Sequence, residues 1–245
     1  SGLSSSQVGA LTSAQVTALT TAQAAALTAT QAGGITTSQA AGLESGDLNK
    51  FTTAAFEAIA PAVAAKLSSA QVGALTTAQI AALTTAQANA LTATQAQGIT
   101  TVQTSAIESS DLSAMTTAAF VAINTGVVAG LSSTQVGSLT TDQVKALTTG
   151  QAGALTATQA QGITTVQTSA LQNAALAKFT TAAFEAIATE VIAGLSSAQV
   201  GALTSSQVTA LTTAQAAALT ATQAGGITTS QTAGLESGDL NKLTT

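Results

Sequence analysis

A large apolar residue returns at every eighth position of this chain, from Leu3, Leu11, Leu19, Leu27 and Ile35 through Phe51 and Met115 to Leu243, and no member of the series is polar. Eight residues are not a whole number of α-helical turns. In a continuous helix the apolar stripe would move roughly 80° around the axis with each octad and face no single partner. Nor do octad positions 1, 5, 6 and 8 alternate as one face of a strand would. The repeating object must therefore begin and end within eight residues.

Counted from the apolar residue, the octad reads apolar, Thr/Ser, Thr/Ser, any, Gln, apolar, any, small, as in LTTAQAAA at Leu19. Thr20 and Gln23 have the S/T-x-x-Q spacing of a capping box. In that motif the hydroxyl accepts from the backbone N–H three residues on, and the glutamine reaches back to the N–H of the cap. Leu19 and Ala24 stand at the two positions of a hydrophobic staple, which Val8, Val16, Val72 and Ile80 fill more fully in other octads. Two substitutions agree with this register. Pro61 falls at the first helical position, where its missing N–H costs nothing, and Asn124 falls at the N-cap, where Asn is favoured. Position 8 is mostly small, and Gly34, Gly42, Gly98 and Gly226 there are expected to end helices in the left-handed conformation and to let backbones approach. The expected fold is all-α, a solenoid or superhelix of short capped helices, one per octapeptide. The alternative is a β-solenoid, for which Thr-rich octads are a starting point. A lone octad cannot bury its own apolar residues, so stability must be shared along the array.

A longer period lies above the octad. LSSSQVGALT at Leu3 returns at Leu67, Leu131 and Leu195, and FTTAAFEAIA at Phe51 returns at Met115 and Phe179, a spacing of 64 residues. Residues 1–245 thus read as a single repeat array with super-repeat units 3–66, 67–130, 131–194 and a partial 195–245. Both ends fall inside octads without a divergent capping unit, so the chain is expected to be a window on a longer array.

Composition removes several classes of function. The chain has no His, Cys, Trp, Tyr or Arg, only 6% charged residues and a net charge of −5. The common zinc and haem ligands and the His-based nucleophile systems are therefore missing. Nucleic acid is not an expected partner of so acidic a chain without Arg. Thr, Ser and Gln interrupt every octad, so no apolar run is long enough for a membrane span. No cofactor is expected, and no enzymatic activity, because no nucleophile, base and orienter occur together. Glu57, Glu185 and Glu190 share no partner across the copies.

One cluster invites a metal reading. Glu44, Asp47 and Asn49 recur as Glu108, Asp111 and Ser113 and as Glu236, Asp239 and Asn241, and closely spaced oxygens suit Ca²⁺. The third copy reads Gln172 and Ala175, without an acid, so helix capping by acids at the positive end of a helix dipole outweighs the metal reading. Phe56, Ile59 and Val63, with their equivalents Phe120, Ile123 and Val127 and Phe184, Ile187 and Val191, form a bulkier apolar segment, read as core in preference to a docking patch between subunits. Position 3 keeps a hydroxyl that capping does not use.

The run ALTTAQIAALTTAQANALTATQ resembles the Thr/Gln/Ala octad arrays of very long bacterial surface proteins of the adhesin-like kind. The resemblance covers essentially the whole chain. It implies an extracellular or cell-surface protein whose array serves as stalk or fibre, and no haem site carries over without an axial ligand. The expected function is a structural segment of an extracellular filament, sheath or adhesin stalk that self-assembles as a homo-oligomer or filament. The alternative is a repeat module whose Thr rows bind glycan or ice.

Overall fold

In the computed structural model of the chain, residues 2–233 are described. Each octad forms its own short helix, four to six residues long and mostly over positions 3 to 7, as in Ser5–Gly9, Ala29–Ala32 and Thr85–Ala90. Among the described residues there is no strand. The β-solenoid alternative fails because caps in most octads and Ala-rich interiors favour helical turns. The chain divides into two compact units, Ser1–Val127 and Val128–Thr245.

The corner between helices consists of positions 1 and 2. Leu91 has φ −64° and ψ 130°, and Thr92 after it has φ −85° and ψ 166°. Two extended residues therefore redirect the chain, and the second is already the next N-cap. No described residue, glycine included, has positive φ. The expectation of left-handed glycines at Gly34, Gly42, Gly98 and Gly226 is thus wrong, since the helix stops by extension at position 1. The reason for glycine is close approach. A Cβ on Gly98 would overlap the backbone of Ser69, and one on Gly73 would press on the carbonyl oxygen of Gly98. The same contact pairs Gly9 with Gly34, Gly137 with Gly162 and Gly201 with Gly226, once in each super-repeat.

Within each compact unit, successive turns of the coil stack. Contacts from one turn to the next join residues 25 to 31 apart in sequence, more than three octads and fewer than four. Leucines at position 1 and the apolar residues at position 6 point into this stack, so Val72, Leu75, Ile80 and Leu91 are buried. Phe56, Phe120 and Phe184 are at most 1% exposed, and Ile59, Val63, Ile123, Val127, Ile187 and Val191 are buried with them. This segment is core, and the docking-patch reading of it fails.

The fifth octad of the first three super-repeats departs from the rule. Its helical turn is delayed and tightens into a 3₁₀ segment at Ala40–Gly42, Thr104–Ala106 and Thr168–Ala170. Val102 and Val166, at the same position of two such octads, are 74% and 73% exposed. Among the described residues no helix is long and apolar enough to cross a membrane.

Candidate functional site

The chemistry of the octad is concentrated in its glutamine. The capping box forms as the spacing predicts. The Gln87 backbone N–H donates to Thr84 Oγ1 at 3.2 Å, and the Thr84 N–H donates to Gln87 Oε1 at 2.9 Å. Where position 5 is alanine the box is halved, and Thr52, Thr116 and Thr180 accept from Ala55, Ala119 and Ala183 at 3.1–3.2 Å. Pro61 opens the helix Pro61–Ala64, and Asn124 Oδ1 accepts from the Gly126 N–H at 3.0 Å. Replacing Thr180 with alanine removes one such cap. The expected loss is about 1 kcal/mol in urea unfolding, and an unchanged midpoint would show that the cap is energetically idle.

The box uses only one side of the amide. The other side faces the previous turn of the coil. Gln39 Nε2 donates to the carbonyls of Val8 and Leu11 at 2.8 and 2.7 Å, 31 and 28 residues back. Gln79 reaches Leu48 and Phe51 at 2.8 and 3.0 Å, Gln103 reaches Val72 and Leu75, and in the second unit Gln159 reaches Val128 and Leu131, both at 2.7 Å. The acceptors are carbonyls at positions 6 and 1, at and just past the helix end, and the position-6 carbonyl also accepts the N–H of the next position 1, as Val8 does from Leu11 at 3.1 Å. One amide therefore caps the N-terminus of its own helix and the C-terminus of a helix one turn earlier. Gln79 and Gln87 are at most 1% exposed, and burial is tolerable because the amide's acceptor and both of its donors are used.

The acidic octads break this ladder. Glu44 and Glu108 are exposed N-caps that make no side-chain cap bond. The capping expected of these acids is thus not realised as hydrogen bonds, because a long Glu suits an N-cap poorly and Asp at position 5 is a methylene shorter than the Gln that closes the box. Asp47 and Asp111 lie in the first helical turn and are buried. Asn49 Oδ1 and Asp111 Oδ2 are buried without hydrogen-bond partners. Burial, and second the charge of Glu108, push the Asp111 carboxyl up to about 6 from 3.8. Ser113 turns away and donates to the Ser110 carbonyl at 2.9 Å. Glu236, Asp239 and Asn241 lie outside the described residues. Among the described residues no three acids come together to hold a metal ion.

Beside Glu44 runs an open groove of about 500 Å³, lined by Ser45, Lys66, Ser68 and Gln71 among others. The equivalent groove recurs two super-repeats later at about 570 Å³, lined there by Gln172, Asn173, Ser196 and Gln199. Hydroxyls and amides stand beside apolar wall residues such as Leu43 and Leu171 in both copies, whereas the charges Glu44 and Lys66 occur only in the first.

Fold and ladder together define an all-α repeat protein, a coil of one-octad helices in which a glutamine stitches each turn to the last. The model of the ALTTAQ repeat matches the chain five times in overlapping tandem, at residues 40–85, 64–101, 104–141, 120–157 and 176–213, between them more than half of its length. The chain belongs to the ALTTAQ repeat family. Comparison with curated proteins gives no match.

Proposed function

We propose that this chain is a structural repeat segment of an extracellular filament, sheath or adhesin stalk, and that copies of it self-assemble. The observation that carries the reading is the glutamine ladder. Gln39 and Gln103 in the first unit and Gln159 and Gln231 in the second make the same bonds to the turn before them, so the same linkage adds length at each turn. Val102 and Val166 expose apolar surface at one register of two super-repeats, and only 6% of residues are charged to oppose association. The cell-surface setting rests on the resemblance of the octads to arrays in bacterial surface proteins. No catalytic role is part of the reading. Sedimentation over a concentration series with negative-stain imaging tests it: fibres or growing oligomers are expected, and a strict monomer seen as compact particles at high concentration overturns it.

A second reading, a glycan- or ice-binding module, is favoured by two observations. Thr21, Thr77, Thr85, Thr141, Thr149 and Thr213 are exposed at position 3, and the hydroxyl- and amide-lined groove recurs. Retention on a glycan array or thermal hysteresis in ice would support it, and absence of both would remove it.

A further inference from the structure

Asp111 occupies position 5 of its octad, where the ladder elsewhere places a glutamine amide. The acceptors of that amide would be the carbonyls 31 and 28 residues back, those of Ile80 and Leu83. Both residues line, with Asp111 and Met115, an enclosed apolar cavity of about 20 Å³ in which Asp111 is the only polar side chain. The register therefore sets a carboxyl, which as an anion only accepts, against carbonyl oxygens that elsewhere receive two N–H groups. Its Oδ2 is buried without a hydrogen-bond partner.

We propose that Asp111 is a proton-operated link between two turns of the coil. Protonated, its O–H is a donor for the carbonyl of Ile80 or Leu83, and because the side chain is a methylene shorter than glutamine the bond forms by drawing the two turns together. Ionised, it has no donor to offer, and its charge lies in a cavity otherwise lined by hydrocarbon side chains. The turn is tightened by acid and loosened by base.

The surroundings fit a proton better than a larger ligand. The cavity is about the size of a single water-sized probe. The helix packed against this octad, Thr85–Ala90, carries no charged residue, and the one charge that acts on Asp111 is Glu108 at its own N-cap. Burial and that negative neighbour hold the carboxyl at about 6, so it titrates in a range that neutral and mildly acidic surroundings span. The device varies between super-repeats. Asp47 holds the same position in the first, and Ala175 removes the carboxyl from the third.

The sign of the effect is fixed. The folded-state value lies above the unfolded one, so the stabilisation is complete below about 3.8 and is lost as pH rises through about 6. The test is thermal unfolding of the whole chain between pH 4.5 and 8, for the wild type and for Asp111→Asn, which supplies an amide donor at every pH. Between pH 5 and 7.5 the wild type should lose roughly 5 °C in Tm, and Asp111→Asn should flatten most of that slope and melt higher than wild type at pH 7.5. Glu108→Gln should move the wild-type midpoint to lower pH. A carboxyl ¹³C titration of Asp111 in the wild-type chain reads the group directly and needs no variant to fold. A midpoint near 4, or an unchanged pH slope in Asp111→Asn, overturns the proposal.

Discussion

Gln87→Leu should destabilise the coil by about 2 kcal/mol, whereas Gln23→Leu should cost clearly less, about 1 kcal/mol at most. The two glutamines close the same capping box, with Oε1 accepting the N–H of Thr84 at 2.9 Å and of Thr20 at 2.8 Å. They differ in what the amide nitrogen reaches. Gln87 Nε2 lies 3.2 Å from the Phe56 carbonyl and 2.7 Å from that of Ile59, while Gln23 is exposed and among the described residues makes only its local bonds. Leucine at position 87 keeps the volume and gains about 1.5–3 kcal/mol of apolar burial. Against this, the Thr84 N–H and the Ile59 carbonyl lose their partners in a buried site, at about 1–3 kcal/mol each, while the Phe56 carbonyl keeps the Ile59 N–H at 3.1 Å. Urea unfolding followed by circular dichroism gives the two numbers, and hydrogen exchange at the Thr84 N–H shows where protection is lost. Equal losses in the two variants would mean that the link between turns contributes nothing beyond the cap.

That contrast also marks what was legible in the sequence. The helix start could be read because a capping box is local. Its partners lie three residues apart, and Pro61 and Asn124 test the register without any tertiary information. The second half of the glutamine's work was hidden because its acceptors lie 28 and 31 residues away, a spacing set by the pitch of the coil and not by the octad. A trace of it was nonetheless present. Capping accounts for Oε1 and leaves two amide donors without a role, and a position filled by Gln in most octads would ordinarily be free to vary if it only capped. The glycines were misread for a related reason. A glycine at a helix end invites a local explanation, a left-handed turn, whereas Gly98 answers to Ser69 one turn earlier. The acids show the same limit: Asp47 and Asp111 do stand in the first helical turn, where the dipole favours them, but the apolar cavity around Asp111 is built by other turns and leaves no local trace. What the local pattern left unread are contacts between turns.

The same division bears on function. Everything that is local in the octad builds a helix, and what joins octads is the apolar core, one amide and, once in each super-repeat, a pair of glycines. Elsewhere the surface is exposed Thr, Ser and Ala with few charges. A chain in which the recurring polar side chain is spent on joining turns has its chemistry directed at extension. This is why the structural reading is placed ahead of the glycan- or ice-binding one, which must rely on hydroxyls of position 3 and on the recurring groove.

Gly98→Ala should cost about 3 kcal/mol or more, although it adds a single methyl group to a chain rich in alanine. Overpacking a well-filled site ordinarily costs about 1–3 kcal/mol and more when the obstacle cannot yield. Here the added Cβ meets the carbonyl oxygen, carbonyl carbon and Cα of Ser69, all backbone and all in the turn below. No rotamer change relieves that overlap, so the two turns must separate, and Gln103, buried in the next octad, must be drawn away from its bonds to Val72 and Leu75 at 2.9 and 2.8 Å. Gly46→Ala is the matched control. A Cβ there meets nothing within 4 Å, and the residue lies inside the helix Ser45–Leu48. Alanine should therefore stabilise the chain by about 0.5–1 kcal/mol through helix propensity and a less flexible unfolded state. The opposite signs separate contact from propensity. Were both substitutions neutral or stabilising, the turns would be held farther apart than the Gly73–Gly98 contact requires. A loss at Gly98 that reappears at Gly162, its equivalent in the next super-repeat, would establish the glycine pair as the recurring point of closest approach in the coil.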